Sequence, residues 1–299
     1  MKYDAYQMVT DRICEMLESG IKPWAKPWNA VSDCAWSGQT GRPYSILNQM
    51  LLADPEKKYK SIEEFIQDVR GEWLSFGQIQ SRGGKIRKGE HGRKVIFFKM
   101  VEEKDEDGEL TGNKHPYLTT TTVFHIRQCE GISQKYNLCE EHDFVEQFDA
   151  EAVVADYVDR SKVAVVNCGN RAYYSPSNDT VTIPEQKYFF TSEEYYSTLF
   201  HELVHSTGHQ SRLNRVNGNV HFGDESYSLE ELVAEIGSAS LMATVGIETK
   251  DTIANSAAYI DNWLDALRKD KTMIVKAANR AEKAIKMILN IKDGGNEND

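Results

Sequence analysis

The chain has 299 residues, of which 40% are hydrophobic and 27% charged, a composition typical of a soluble globular protein with more than one core. A formal net charge of −11 excludes a chain that is basic throughout, as many nucleic-acid binders are, but it leaves room for a local basic patch. The sequence has no secretory signal, no apolar run of the roughly 18 residues that a membrane span requires, and five scattered cysteines without a CxxC pair. We therefore expect a cytoplasmic protein with free thiols and no membrane contact.

The first half of the chain mixes helical and strand-like segments. An amphipathic helix opens the sequence, and short helices are predicted at SIEEFIQDV and LSFGQIQSR. Two strands are predicted at KVIFFKMV and YLTTTTVFHI. The acidic stretch between these strands, residues 102–116, is predicted to be a long hairpin loop. This mixture predicts an α+β domain.

A charged stretch at residues 139–149 separates this half from the second. We place the domain boundary there, with a first domain over residues 1–143, a second over residues 144–292 and a disordered tail over residues 293–299. The second domain is predicted to begin with a helix, to continue with short strands and to end in a series of helices. The predicted fold class is α+β in two domains, the second mostly helical with a small β-sheet.

The most informative segment contains the pentad HELVH, which has the pattern HExxH. Thr191 and Glu194 form a plausible capping box, so a helix is predicted to begin there. On this helix His201 and His205 are four residues apart and share one face, so both can bind one metal ion. Glu202 lies about 100° around the helix from His201, where it can act as the base that activates a metal-bound water. The pentad predicts a catalytic site with one Zn²⁺ per chain; the alternative is a chance arrangement of two histidines and a glutamate.

A third ligand must come from outside the pentad. A histidine at position 211 would complete the pattern HExxHxxGxxH, but that position is Ser211, and His209 is two residues too early. The segment SLEELVAEIG offers Glu231 and Glu235, four residues apart on one helix face. Zincins with a glutamate ligand often show such a pair, and this resemblance assigns Glu231 as the ligand and Glu235 as the partner of a ligand histidine. The alternative is that Glu231 only caps the helix at Ser228 and that Glu235 is the ligand.

Basic and aromatic residues are interleaved in the first half of the chain. Proteins that bind single-stranded nucleic acid combine a basic groove with aromatic faces on which bases stack. The candidate contacts are four aromatic and five basic residues, namely Trp24, Trp28, Tyr44, Trp73, Lys85, Arg87, Lys88, Arg93 and Lys94. The alternatives are that the tryptophans belong to the core and that the basic segment KGEHGRK is only a solvated hairpin turn.

Two sets of motifs resemble those of ArdC-type antirestriction proteins of conjugative plasmids and phages. The zincin-like metallopeptidase domain of that family resembles YYSTLFHELVHSTGHQSRLNR and YSLEELVAEIGSASL. Its amino-terminal domain resembles KPWAKPWN, TGRPYSILNQMLL, WLSFGQIQSRGGKIRKGEHGRKVIFF and VFHIRQCEGI. The resemblance implies a protein of a mobile element that binds single-stranded DNA with its first domain and helps entering DNA to escape restriction. The acidic stretch at residues 102–109 departs from the family pattern.

Three functions are compatible with these features. The first is a zinc metallopeptidase that acts on an unknown protein or peptide while tethered to single-stranded DNA. The second is a DNA-binding protein whose zinc domain is structural. The third is a primase or replication accessory factor, since related domains occur in plasmid primases of the TraC type, but the lack of an acidic polymerase-like motif weakens this reading. Glu202 favours the first, since a structural zinc site is usually closed by a fourth protein ligand and needs no base. Tyr227, His221 and Arg212 are candidates for stabilising the negatively charged oxygen of a transition state.

Overall fold

The N-terminal half of the molecule is built on a four-stranded sheet. In the computed structural model of the protein, the described residues are 4–19, 23–24, 34–54, 57, 62–104, 110–135, 149–215, 225–247 and 257–291. Those before residue 136 form the strands β1 (Ala35–Ser37), β2 (Gly71–Ser75), β3 (Lys85–Ile86), β4 (Arg93–Lys104), β5 (Leu110–His125) and β6 (Cys129–Glu130). The main sheet has the order β1-β2-β5-β4, in which β1 lies parallel to β2 and the other pairs are antiparallel. β3 and β6 pair separately.

Four helices are described in this half, namely α1 (Ala5–Glu18), α2 (Ile46–Leu51), α3 (Ile62–Val69) and α4 (Phe76–Ser81). Three of them, α1, α2 and α4, begin at polar residues that cap their first turns. Asp4 accepts hydrogen bonds from the first turn of α1, and Ser75 forms a capping box with Gln78 at the start of α4. The strands that the sequence predicted at KVIFFKMV and YLTTTTVFHI are the hairpin β4–β5, and pairing extends well into the stretch predicted to be a loop.

The outer edge of β4 is closed at one point by a side chain of α2. The amide nitrogen Nδ2 of Asn48 donates to the carbonyl of Ile96 at 2.8 Å, and its Oδ1 accepts from the Ile96 backbone amide at 2.8 Å. Asn48 thereby takes the place of a neighbouring strand at this position of the sheet edge, which would otherwise expose unpaired backbone groups. These two hydrogen bonds fix α2 against the sheet.

The C-terminal half is mostly helical with a small three-stranded sheet. Its described elements are α5 (Ala150–Ser161), β7 (Ala164–Asn167), β8 (Tyr173–Ser175), β9 (Thr180–Ile183), α6 (Ser192–Ser206), α7 (Glu225–Thr244), α8 (Ala257–Lys269) and α9 (Met273–Ile288). The sheet has the order β7-β9-β8, with β7 parallel and β8 antiparallel to β9. Mixed helices and small sheets in two domains confirm the predicted α+β fold class.

Helix α9 joins the two halves into one hydrophobic core. Its apolar face is fully buried and contacts α7 and α6 on one side and α1 and α2 on the other. On the N-terminal side, Val9, Ile13 and Leu17 of α1 are buried in the same core. The Thr10 hydroxyl donates to the carbonyl of Lys271 at 2.8 Å, directly before α9. The two halves are therefore continuous in packing, although they are separate in sequence.

The remaining predictions on domain organisation fall on other parts of the chain. The proposed boundary at residues 143 and 144 and the predicted disordered tail at residues 293–299 lie outside the described residues. Among the residues that the structure describes, no helix is long and apolar enough to cross a membrane.

Candidate metal centre

Helix α6 carries the HExxH pentad and begins where the sequence predicted. The Thr191 hydroxyl accepts a hydrogen bond from the Glu194 amide at 3.2 Å. The Glu194 carboxylate accepts in turn from the amide of Phe190 at 3.1 Å, one residue before the N-cap, so the reciprocal bond of the predicted capping box is shifted by one residue. Leu203 and Val204 are fully buried and hold the helix against the core. The two histidines thus lie on a fixed, partly buried face.

His201, His205 and Glu231 converge to form a site with metal-ligand geometry. The Nε2 atoms of the two histidines are 3.1 Å apart, and the Glu231 carboxylate oxygens lie 3.5 Å from each of them. One ligand atom from each residue lies within 4.8 Å of the others, so the three can hold one metal ion. Two imidazole nitrogens and a carboxylate oxygen are a donor set that suits zinc. This geometry favours Glu231 over Glu235 as the third ligand.

Charges in the site compensate each other. Burial alone would lower the pKa of His205, but its hydrogen bonds with Glu230 and Glu231 raise this pKa to about 10. Burial alone would raise the pKa of Glu231, but hydrogen bonds with His201 and His205 hold this pKa well below its usual value. The carboxylates therefore favour a positive charge at this position, whether it is carried by an imidazole or by a bound cation.

Glu202 lies beside this cluster and is itself largely buried. Its exposure is 8%, and within the described part of the chain no hydrogen bond or ion pair engages its carboxylate. The carboxylate oxygens themselves are not fully covered, so a water or a ligand can reach them and supply the missing hydrogen bond. This position, next to His201 along the helix, is the one that the sequence predicted for a base.

The outer partner of His205 is Glu230, and not the predicted Glu235. Nδ1 of His205 lies 3.3 Å from the Glu230 carboxylate, which also accepts hydrogen bonds from Arg215 at 2.9 and 3.0 Å. Arg215 is anchored further by its bond to the Thr207 hydroxyl at 2.6 Å. Glu235 lies more than one turn along α7 from Glu230, and among the described residues none forms a hydrogen bond or ion pair with it. The two adjacent glutamates at positions 230 and 231 are the sequence signal of this arrangement, because side chains at neighbouring positions of a helix can contact the two ring nitrogens of one histidine.

A glycine sets the distance between the two helices that carry the ligands. A Cβ atom added to Gly237 of α7 would lie 2.7 Å from Cγ2 of Val204 on α6, which is shorter than a normal carbon–carbon contact. Near the same crossing, the Ser238 hydroxyl donates to the Ser197 carbonyl at 2.8 Å. This close approach brings Glu231 within reach of the histidines.

Arg212 is held by a network of structural contacts. Its guanidinium pairs with Asp179 of the β8–β9 turn, at 2.9 Å for one bond, and donates to the Ser206 carbonyl at 2.8 Å. The Tyr174 hydroxyl donates to the same aspartate at 2.8 Å. The guanidinium is therefore engaged in holding the segment after α6 to the small sheet, and its role in stabilising a transition state stays a prediction. The side chains of His221 and Tyr227, the other two candidates, lie outside the described residues.

The predicted stacking tryptophans belong to the core. Trp24 and Trp73 are each only 1% exposed, and Nε1 of Trp73 donates to the Val69 carbonyl at 2.7 Å. A base cannot stack on a ring that is covered on both faces, so the prediction for these two residues is wrong. Tyr44 is half-buried against the core. Trp28 lies outside the described residues.

Arg93 is also structural. Its guanidinium forms an ion pair with Asp68 at 2.8 Å and lies over the ring of Trp73 at 5.1 Å. The side chain is 13% exposed, and its charge is already compensated inside the protein. The contact of Arg93 with nucleic acid stays a prediction, and these internal partners do not favour it.

The other predicted basic residues lie at the surface. Lys85 and Lys88 are exposed, and Lys94 is exposed while donating to the Thr122 hydroxyl at 2.7 Å. Arg87 is half exposed and lies 3.4 Å from Glu90. These four side chains are accessible to a polyanion, so they remain candidates for phosphate contacts.

Comparisons with known families match both halves of the chain. Residues 3–124 match the model of the N-terminal domain of the anti-restriction factor ArdC. Residues 151–280 match the model of a zincin-like metallopeptidase. The two matches agree in order and extent with the two halves described above.

Solved structures of an ArdC protein give the same relationship, and two curated proteins of other descriptions match most of the chain. The metal-free crystal structure of the antirestriction protein ArdC from plasmid R388 is 36% identical and has a TM-score of 0.70, with 96% of this chain and 97% of that one covered. The Mn(II)-bound structure of that protein has a TM-score of 0.72 at 33% identity, covering 96% and 98%. A DNA primase TraC of Escherichia coli is 30% identical over 97% of this chain, which spans only 27% of that primase. The uncharacterized protein y4eC of Sinorhizobium fredii is 28% identical over 93% of this chain and 89% of that protein.

Proposed function

The chain belongs to the ArdC family of antirestriction proteins, and we propose that it binds single-stranded DNA and acts as a zinc metallopeptidase. In this role it would help DNA that enters a new host to escape restriction. The observation that carries the enzymatic part is the convergence of His201, His205 and Glu231 beside the buried Glu202.

We assign one Zn²⁺ to the three converging side chains. Zinc is favoured over harder cations because two of the three donors are imidazole nitrogens. Three protein ligands are also the number found in catalytic zinc sites, whereas structural sites usually have four. When bound, zinc supplies Lewis-acid chemistry at the oxygen atoms of a substrate.

Glu202 is the proton carrier in this proposal. As a carboxylate it takes a proton from the attacking water, and it then donates that proton to the amine that leaves. Its burial beside His201 keeps the carboxylate next to the reacting atoms. Glu230 accepts from Nδ1 of His205 and thereby directs Nε2 of that ring toward the cluster, while Arg215 holds Glu230 in place.

DNA binding is assigned to the N-terminal half. The exposed side chains of Lys85, Arg87, Lys88 and Lys94 support this assignment, because phosphate contacts dominate the affinity for single strands. The match of this half to the N-terminal domain of ArdC supports it further.

A second candidate function is a DNA-binding protein whose metal only stabilises the fold. The observation that favours it is the shared core, since α9 contacts both the helices that carry the ligands and the helices of the N-terminal half. In that case DNA coating alone would prevent restriction, and Glu202 would have no chemical role.

The two candidates differ in the behaviour of the variant Glu202→Gln. Full-length protein loaded with zinc is incubated with a lysate of recipient cells, and cleaved proteins are identified by mass spectrometry. We expect Glu202→Gln to retain zinc and to cleave at least about 100-fold more slowly, whereas the control Glu235→Gln should cleave as the wild type does. Equal cleavage by wild type and Glu202→Gln would contradict a role for this base. A zinc-loaded wild type that cleaves nothing would support the second candidate.

Metal content tests the ligand assignment independently. His201→Ala should lose zinc, and Glu231→Ala should lose tight zinc binding. Stoichiometric zinc retained in His201→Ala would show that the metal is bound elsewhere.

A further inference from the structure

A two-stranded arm extends from the main sheet beyond Ile96. We define the arm as residues 97–103 of β4 and 111–119 of β5, and among these residues only Leu118 is buried. A hairpin outside the core gains little from packing, and clustered exposed apolar groups mark interaction sites. The arm nevertheless exposes four large apolar side chains, with exposures of 42% for Phe97, 39% for Phe98, 53% for Met100 and 45% for Tyr117.

The register of the arm places two aromatic rings and a lysine on one face. Phe97 is paired with Thr119, and the next pair on the same face is Lys99 with Tyr117. Phe97 and Tyr117 are therefore diagonal neighbours, which are roughly 7–8 Å apart in antiparallel pairs. Lys99 lies two residues from Phe97 and directly opposite Tyr117.

We propose that Phe97 and Tyr117 form the base-stacking surface for single-stranded DNA, with Lys99 contacting the phosphate between the stacked bases. This inference rests on the proposed function of DNA binding and names the residues that perform it. Stacking requires exposed rings, which Trp24 and Trp73 do not provide. Each ring on the arm can take one base, and the lysine between them provides a cation for the intervening backbone.

Charge and composition favour a nucleic acid over a protein on this face. Interface cores between proteins are depleted in lysine, whereas here Lys99 stands among the aromatic rings. Thr119 and Thr121 add hydroxyl groups to the same face, and hydroxyls are common partners of phosphate. The segment that connects β4 to β5 in the sequence, residues 105–109, reads DEDGE, so a polyanion is expected to cross the part of the arm nearest Ile96.

The test measures the affinity of the full-length, zinc-loaded protein for a fluorescent oligothymidylate by anisotropy over a range of salt concentrations. Phe97→Ala and Tyr117→Ala should each weaken binding by about 5- to 150-fold, with little change in the salt dependence. Lys99→Ala should instead reduce the slope of log affinity against log salt by about 0.7. Phe97→Tyr combined with Tyr117→Phe retains both rings and should bind as the wild type does. The control is Phe190→Ala, which removes the most exposed aromatic ring among the described residues. Phe190 is 96% exposed and lies in the C-terminal half, so its removal should leave the affinity for the oligonucleotide unchanged.

Failure of this inference can be told apart from failure of the proposed function. A wild type that does not bind the oligonucleotide overturns the proposed DNA-binding function and this inference with it. A wild type that binds, with alanine variants that bind equally well, overturns only the assignment of the arm. Variants that change the sedimentation of the protein but not its affinity for DNA would identify the arm as a self-association surface and also overturn the assignment.

Photocrosslinking of the wild type covers the case in which a variant does not fold. An oligonucleotide with bromodeoxyuridine should crosslink to the peptides that contain Phe97 or Tyr117, as identified by mass spectrometry. Crosslinks confined to peptides outside the arm would overturn the inference.

Discussion

Replacing Gly237 by alanine should push α7 away from α6 and weaken metal binding. The new Cβ would lie 2.7 Å from Cγ2 and 3.0 Å from Cγ1 of Val204. Carbon atoms in contact are about 3.5–4.0 Å apart, so the helices must separate locally by roughly 1 Å. Valine cannot rotate away easily, because its branched side chain is restricted at χ1.

Two opposing effects determine the change in stability. Overpacking a core costs about 1–3 kcal/mol. Alanine is favoured over glycine inside a helix by about 1 kcal/mol, which offsets part of this cost. The free energy of unfolding of the metal-free protein should therefore fall by only about 0–2 kcal/mol. Zinc affinity should fall more clearly, because Glu231 on α7 moves away from the histidines on α6 and metal–ligand distances tolerate little change.

The assay is a competition with a chelator for zinc, combined with chemical denaturation of the metal-free protein. Val204→Ala combined with Gly237→Ala removes both methyl groups that meet the new Cβ, so the double variant should bind zinc more tightly than Gly237→Ala alone. Val204→Ala by itself is the matched control for the cavity. A Gly237→Ala protein that binds zinc like the wild type and is more stable would refute the reasoning, because it would show that the helices have room for a methyl group.

Three further variants test other contacts. Glu230→Gln should weaken zinc binding by roughly 10- to 100-fold in the same competition assay, because His205 loses a charged partner; an unchanged affinity would contradict its orienting role. Burial lowers the pKa of His125 to about 4, against roughly 6.5 in the unfolded chain. Between these two pH values the unfolded state binds a proton that the native state does not. Unfolding free energy should therefore fall by about 2 kcal/mol more in wild type than in His125→Gln between pH 7.5 and 5, and equal losses in denaturation experiments would disprove this. Asn48→Leu should lower the unfolding free energy by about 1–3 kcal/mol, since the backbone groups of Ile96 lose both partners; an unchanged melting temperature would argue against the edge closure.

The parts of the site that depend on local spacing could be predicted from the sequence. His201 and His205 share a helix face whatever the rest of the fold does, and the acid-rich helix downstream supplied Glu231. The partner of His205 could not be predicted in the same way. Whether Glu230 or Glu235 reaches Nδ1 depends on how α7 is rotated and shifted against α6, and that arrangement is set by tertiary packing.

The burial of the tryptophans could not be predicted from the local sequence, for a different reason. The residue type of an aromatic side chain in a basic segment does not show whether the ring stacks on a base or fills the core. Trp24 is buried against Trp263 of α8, more than two hundred residues away, with ring centroids 5.4 Å apart. Nothing in the local sequence indicates that contact. Phe97 and Tyr117 lie in segments that the sequence predicted to be strands. Their exposure could not be predicted, because it depends on how far these strands extend beyond the core.

The position of α9 between the two halves bears on how such proteins can diversify. Its inner face is rich in small residues, including Ala277, Ala278, Ala281 and Ala284, so neighbouring helices approach it closely and tolerate little change in volume. A recombination event that joined the first half of one relative to the second half of another would place unmatched side chains of α1 and α2 against this face. Gene exchange at the sequence boundary is therefore expected to yield poorly folded hybrids. The two halves should be inherited together, with compensating substitutions on both sides of the contact between α9 and the helices α1 and α2.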